Sequence, residues 1–266
     1  MARLGSERLR RLAWAAARPL PIIALAIAWE WFATSGKVTP FMLPPLSDVL
    51  VRIWHDATTG DLAISTALTL YRALAGFSIS ALGGVALGLA MSRSVGVRWF
   101  FDPIVSVGFP MPKIAFLPIV ILWLGFFDAS KIAIIVFDAI FPVVTTTIAG
   151  LAGVERELIW SARNMGASDR ELIWQVLIPA ALPQILTGLQ VALPLSLIVA
   201  IVAEMLMGGF GIGGAMMTAS RFADSRAVFA GILEIAAVGY CLVKAMAIIR
   251  RRLLLWHAEA LEPSTA

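Results

Sequence analysis

Charge is what this sequence has least of. Only 14% of its 266 residues are Asp, Glu, Lys or Arg, against 60% hydrophobic, whereas a soluble domain carries about a quarter charged residues to cover its surface. A water-soluble globule is therefore excluded and a membrane protein is expected. Cysteine is reduced to Cys241, inside the last apolar run, which rules out an intrachain disulfide and a cysteine metal site. The two histidines, His55 and His257, have no metal-ligand company, so no metal site is expected. No G-x-x-x-x-G-K-S/T sequence occurs, which excludes the usual ATP-phosphate loop. Low-complexity tracts, a soluble domain and a clear internal repeat are missing too.

What remains is a series of apolar runs. Between Asp61 and Arg93 the only charged side chain is Arg72; between Asp102 and Asp128 it is Lys113; between Lys131 and Glu155 it is Asp138. Each gap can cross a bilayer, because roughly 20 mostly apolar residues span the hydrocarbon core as a helix. The runs 18–37, interrupted by Glu30, and 226–250, interrupted by Glu234 and Lys244, read the same way. Residues 171–221 are long enough for two spans, but Gln175, Pro179, Pro183 and Gln184 make the first third a poor membrane helix, so one span containing Glu204 is assigned. The expectation is an all-α, polytopic protein with six transmembrane helices. The arginine-rich N-terminus followed by an apolar run resembles a signal peptide, yet Ala26-Ile27-Ala28 lies inside the run rather than after it, which favours an uncleaved first span. A sequence pI near 9.7 does not point to nucleic acid, because the bases cluster beside apolar runs.

Lys and Arg accumulate on the cytoplasmic side. With the N-terminus inside, the inside segments hold Arg3, Arg8, Arg10, Arg11, Arg18, Arg93, Arg98, Arg156, Arg163, Arg170, Arg250, Arg251 and Arg252, and the outside segments only Lys37, Arg52, Lys131, Arg221 and Arg226. Both termini are expected in the cytoplasm: a segment 1–18, a membrane domain 19–250 and a tail 251–266.

Two loops are too long for simple turns. In 36–61, Pro40, Pro44 and Pro45 lead into Ser47-Asp48, a plausible N-cap, and Val49, Leu50, Ile53 and Trp54 at helical spacing, which predicts an amphipathic helix on the outer face. In the cytoplasmic loop 153–183, Gly166 separates two short helices, since glycine tolerates the left-handed conformation that ends a helix. Ser168 and Glu171 then form a capping box that starts the second helix.

This elbow carries a resemblance. Permease subunits of binding-protein-dependent ABC importers have a cytoplasmic motif Glu-Ala-Ala, three residues, Gly, nine residues, Ile-x-Leu-Pro. Trp160-Ser161-Ala162, three residues, Gly166, nine residues and Val176-Leu177-Ile178-Pro179 follow that spacing, with Trp160 and Ser161 where Glu and Ala are usual. The chain resembles the nitrate, sulfonate and taurine branch over about residues 40–250, through Ser65-Thr66-Ala67-Leu68, Arg72, Gly76-Phe77, Asp102-Pro103, Pro110-Met111-Pro112-Lys113-Ile114-Ala115, Leu117-Pro118, Pro179-Ala180-Ala181-Leu182-Pro183, and Ala203-Glu204 before Gly211-Ile212-Gly213.

The resemblance implies a type I importer fold in the bacterial inner membrane. Its elbow, with Ala162, Arg163, Gly166, Ala167, Ser168 and Pro179, would dock on a separate ATPase. The partners implied are two copies of that ATPase, which would bind ATP and Mg, an extracytoplasmic solute-binding protein and a second copy of this chain. No cofactor, catalytic residue or nucleic-acid partner is expected in the chain itself. The cargo implied is a small, often anionic solute such as nitrate, a sulfonate or taurine, moved by alternating access.

Charges at membrane depth are the candidate pathway residues, because each costs at least a few kcal/mol there and normally faces a cavity or a partner. Lys113 follows Pro110 and Pro112, which should break the helix, and Asp138 is its possible partner; an ion pair and a substrate-pathway role stand level. Arg72 and Glu204 fall toward the outer ends of their spans, where an interfacial or paired charge is the simpler reading. Gly84 and Gly88 form a G-x-x-x-G that suits helix packing within the bundle, with a dimer seam as the alternative. Gly209 to Gly214 matches G-x-G-x-x-G, but it follows a span with no strand nearby and reads as a flexible turn outside the membrane. Two rivals remain: an ion-coupled secondary transporter, which needs no cytoplasmic elbow, and a membrane-embedded enzyme, for which no acid/base pair or nucleophile motif is present.

Overall fold

Apolar runs with internal hydrogen bonding leave the backbone one solution in a membrane, the helix, and a computed structural model shows helices throughout the described residues, 19–256. The segment 1–18 with its arginines, and His257 in the tail, lie outside them. In chain order the helices are α1 (Leu20–Thr34), α2 (Leu46–Thr59), α3 (Asp61–Arg93), α4 (Val95–Gly108), α5 (Leu117–Leu124), α6 (Asp128–Ala152), α7 (Arg156–Asn164), α8 (Asp169–Met207), α9 (Ile212–Arg221) and α10 (Ser225–Leu253), with a 3-10 turn at Lys113–Phe116 before α5. Four of them, α3, α6, α8 and α10, are long and apolar enough to cross a membrane, and α4 with Lys113–Leu124 meets the same criterion as a pair bent by 98°, the shape of a broken span or of a re-entrant loop. The break falls at Pro110 and Pro112, as expected. The sixth expected span corresponds to α1, whose 15 residues rise only about 22 Å at 1.5 Å per residue, short of a hydrocarbon core of about 30 Å.

The chain forms two compact units, one from the described part of Met1–Leu62 with Met216–Leu233, the other from Ala63–Ala215 with the described part of Glu234–Ala266. In the first, α1 is joined to the start of α2 by the Trp29 Nε1–H donating to the Pro44 carbonyl (2.9 Å) and by Glu30 accepting from the Ser47 amide (3.1 Å) and hydroxyl (2.8 Å). Ser47 is thus not the N-cap predicted from sequence: α2 begins at Leu46 behind Pro45, and the serine is used by a neighbouring carboxylate. Trp29 also stacks at a tilt on Phe229, centroids 5.5 Å apart. The Asp224 carboxyl lies below the usual carboxylate range: partial burial opposes this, but the Ala227 amide and the Arg52 guanidinium outweigh it.

The second unit is built around α6, which buries Ile134, Ile135, Ala139, Phe141, Val143, Val144, Thr147 and Leu151. Its closeness to α3 is set by glycine. Gly76, Gly84 and Gly88 share one face of α3, and a Cβ on them would come within 2.4 Å of Ile135, 2.8 Å of Val143 and 2.7 Å of Thr147. The G-x-x-x-G is therefore filled by α6 of the same chain, the ordinary use of small residues in membrane bundles. α8 in turn presents Gly188 to Thr146 more closely still.

The second elbow helix does not end before the span, contrary to expectation: it runs unbroken from Asp169 to Met207. Of the two prolines that argued for an ending, Pro183 lies inside the helix, and Pro179 directly follows a π-helical segment, Leu172–Leu177, after which the Ile178 amide bonds to the Ile173 carbonyl, five residues back. The wider turn makes room for the ring and the missing donor of Pro179, which would clash in a regular α-helix.

Candidate functional site

Three places carry the residues singled out from sequence. The first is the elbow. α7 ends in a paired bond set in which the Ala167 amide reaches the Ala162 carbonyl (3.0 Å) and the Gly166 amide reaches that of Arg163 (3.0 Å), with Gly166 at φ +86°. This is a Schellman ending, in which two orphan carbonyls are satisfied at the cost of one left-handed residue. Two residues later Ser168 caps α8: its hydroxyl accepts from the Glu171 amide, while the Glu171 carboxylate accepts from the Ser168 amide at 2.9 Å. Arg163 spans the corner to pair with Asp169, which Arg93 at the end of α3 approaches at 3.5 Å. Ala162 is buried with Leu151, Leu172, Leu177 and Ala181. Trp160, Met165 and Trp174 stay exposed, so the corner presents apolar side chains outward. The predicted helix, glycine and capped helix are all in place, and Pro179 follows the π segment.

The second place is the break after α4. Lys113 is 7% exposed. Its ammonium donates to the Phe109 carbonyl at 2.8 Å, lies 3.3 Å from Asp138 and sits 5.0 Å from the centroid of the Phe141 ring. The break frees the Phe109 carbonyl from helical bonding and turns it toward the cation, so the prolines that open the helix also supply part of the cage. Lys113 and Asp138 are brought together as expected.

The third place was only half legible. Of the two readings, interfacial or paired, the pair is what the structure shows: Arg72 and Glu204 are 4% and 0% exposed and meet directly at 2.6 Å. Arg72 Nε also donates to Asp128 at the start of α6 (2.8 Å), and Nη1 to the Phe210 carbonyl (2.6 Å). Glu204 accepts in addition from the Thr69 hydroxyl (2.8 Å) and the Gly213 amide (3.1 Å), and that hydroxyl accepts in turn from the Ile212 amide (2.9 Å). Lys131, placed among the outside bases from sequence, is buried in α6 and donates to the Gly208 carbonyl at 3.2 Å. The 208–213 turn is therefore tied down at four backbone groups rather than flexible. Its glycines serve contact: Gly211, at φ +128°, lies so close to the Glu204 carboxylate that a Cβ would fall 2.4 Å from it. Burial without bonding would cost each charge several kcal/mol, and here Arg72 Nε and Nη1 and both Glu204 carboxylate oxygens meet partners. Asp128, Thr69 and Lys131 were missed. Thr69 lies one helical turn before Arg72, a spacing that places both on one face, and that was the available signal.

A family model described as the binding-protein-dependent transport system inner membrane component matches residues 80–255. The chain belongs to this family. Its matched part takes in the elbow, Lys113, Asp138 and Glu204 and begins past Arg72. The taurine transport system permease protein TauC of Escherichia coli is 33% identical over 243 residues, covering 90% of this chain and 88% of its own. SsuC of Bacillus subtilis, a permease protein named for aliphatic sulfonates transport, is 32% identical over 93% of this chain and 90% of its own. The riboflavin transport system permease protein RibX of Chloroflexus aurantiacus is 28% identical over 94% of each chain. Among solved structures, an amino acid ABC transporter with histidines aligns with a TM-score of 0.59 at 18% identity over 75% of this chain and 97% of that one, and the MetNI methionine ABC transporter, inward facing, with 0.52 at 16% over 71% and 95%; at such identities the likeness is one of fold. This family member is a multi-pass membrane protein and a permease subunit of an ABC importer, a transport subunit rather than an enzyme.

Proposed function

We propose that this permease passes a small sulfonate-type anion from an extracytoplasmic binding protein into the cytoplasm, by alternating access driven by ATP hydrolysis on a partner subunit. The observation that carries the reading is the elbow: a Schellman-terminated helix and a capping-box helix meeting at Gly166, rigid and apolar at its tip, joined without a break to the α8 span. A stiff corner continuous with a span transmits a push from a docked ATPase, and the chain has no phosphate loop of its own. Relatives named for taurine and aliphatic sulfonates support the sulfonate; those named for riboflavin and formylaminopyrimidine make a heterocycle the alternative cargo.

In this reading two copies of the chain meet two ATPases, which hold ATP and Mg, in the bacterial inner membrane. α1 is the first of six spans, and both termini and the elbow are cytoplasmic. Lys113 with Asp138 belongs to the pathway, because broken helices at membrane depth line protein or water-filled routes. Arg72 and Glu204, paired with each other and bonded to the Phe210 carbonyl and the Gly213 amide, hold the 208–213 turn in place. The test is copurification and reconstitution: the chain should retain an ABC ATPase through purification, and hydrolysis in vesicles should rise when solute-loaded binding protein is added. A chain that purifies with no ATPase, or with one whose rate ignores the binding protein, contradicts the proposal.

A further inference from the structure

α2 is amphipathic, and its charged side, half-buried, pairs with residues at the start of α10. Asp48, Arg52 and Asp56 recur every four residues on one side of the helix and all are engaged within the same unit: Asp48 with Arg226 at 2.9 Å, Arg52 with Asp224 at 2.6 Å, and Arg52 with Asp56 at 2.8 Å. Val49, next to Asp56 at the edge of this side in the helical projection, is fully buried. The opposite side carries Leu50, Val51, Trp54 and Ala57, bordered by Ser47 and Thr58, with no charge at all. Leu50 is 53% exposed and Trp54 72%, and the preceding Phe41 and Met42 are exposed as well. An isolated helix in water would turn the other way, charges out and leucine in.

The chemistry of the missing cover can be read from what adjoins it. α1 exposes Leu20, Ile22, Ile23, Leu25, Ile27 and Trp31 all round its surface and buries only Ala33; a helix that is apolar on every side has hydrocarbon as its solvent. α2 is bonded to the far end of that helix through Trp29 to Pro44 and Glu30 to Ser47, so its uncharged face continues the lipid-facing surface at the level where the hydrocarbon gives way to headgroups. Tryptophan with a fringe of hydroxyls fits that level, and a helix with one such face lies in the interface plane.

We propose that α2 is an interfacial membrane anchor. Leu50, Val51 and Trp54 insert among the lipids at the membrane edge where α1 ends, while Asp48 and Arg52 clamp the helix to the segment leading into α10. The proposal rests on α1 spanning the membrane, and the experiment separates the two. On a Cys241→Ser background, spin labels at single cysteines replacing Leu50, Val51, Trp54, Leu25 and Thr59 are placed in the permease reconstituted with its ATPase in phospholipid vesicles, and collision with oxygen is compared with collision with a water-soluble nickel chelate. Labels at 50, 51 and 54 should be oxygen-favoured like the label at 25, and the label at 59 nickel-favoured. In parallel, brominated lipids should quench wild-type fluorescence more than that of Trp54→Phe, a readout that needs no cysteine at the site. Nickel-favoured labels at 50, 51 and 54 with position 25 still oxygen-favoured overturn the anchor, as does protection from nickel that appears only on adding the binding protein, or spin coupling between two copies. A nickel-favoured label at 25 overturns the membrane assignment of α1 itself.

Discussion

Replacing Glu204 by alanine isolates the buried charge cluster. The side chain is fully buried and takes part in four contacts: with the Arg72 guanidinium at 2.6 Å, with the Thr69 hydroxyl through each oxygen, and with the Gly213 amide. Removing one partner of a buried ion pair costs about 3–5 kcal/mol, mostly because the other charge is left behind. Arg72 keeps Asp128 and the Phe210 carbonyl, which puts the electrostatic loss near the lower end. The freed Thr69 and Gly213 groups add about 1 kcal/mol each. A total of about 4–5 kcal/mol corresponds to a fall in Tm on the order of 10 °C for a chain of this size. Glu204→Gln should lie between, since its amide group meets other donors where the second carboxylate oxygen stood. Arg72→Met with Glu204→Leu should recover part of the loss, because no uncompensated charge then remains. Thermal unfolding of the purified permease, with limited proteolysis of the 208–213 turn, measures all four proteins. A Glu204→Ala variant within about 2 °C of wild type with an uncut turn would refute the reasoning, as would a double variant less stable than the single one.

At Gly166 a Cβ would meet nothing within 4 Å, so Gly166→Val costs only the left-handed backbone, roughly 1–2 kcal/mol; insertion should be normal while the ATPase dissociates or loses its response to binding protein, measured in reconstituted vesicles. Gly84→Ala drives a Cβ to 2.8 Å from Val143 and should destabilise by about 1–3 kcal/mol, while Gly83→Ala, whose Cβ would lie 3.7 Å from Ile140, should be close to neutral in the same unfolding assay. Lys113→Ala leaves Asp138 without its cation and should abolish transport while the ATPase still copurifies; uptake at the wild-type rate would remove Lys113 from the pathway. Cysteine labelling at position 166 should succeed only from the cytoplasmic side, and a label arriving from outside intact cells would overturn the topology.

The helices were legible because hydrophobicity and length decide them, and the elbow because its signals are local: a glycine at a left-handed position and a serine three residues before a glutamate. The Lys113 and Asp138 pair was legible because two lone charges in neighbouring apolar runs have few alternatives to each other. The Arg72 cluster resisted because its members lie in four separate stretches and Asp128 and Lys131 sit at a helix start, where a sequence shows only the end of an apolar run. The course of α8 through Pro179 was hidden for another reason: a π segment carries no residue signature, and proline statistics describe the α-helix it replaces. The protein-facing side of α2 could not be assigned either, since periodicity reports that a helix has two faces and not which of them meets protein.

Solute uptake tests the central claim most directly. With the permease, its ATPase and its binding protein reconstituted in vesicles, a radiolabelled sulfonate such as taurine should accumulate only when ATP and the binding protein are both supplied on their proper sides, and heterocyclic solutes should not compete. Uptake that proceeds without ATP under an ion gradient, or none for any solute the binding protein holds, would contradict it.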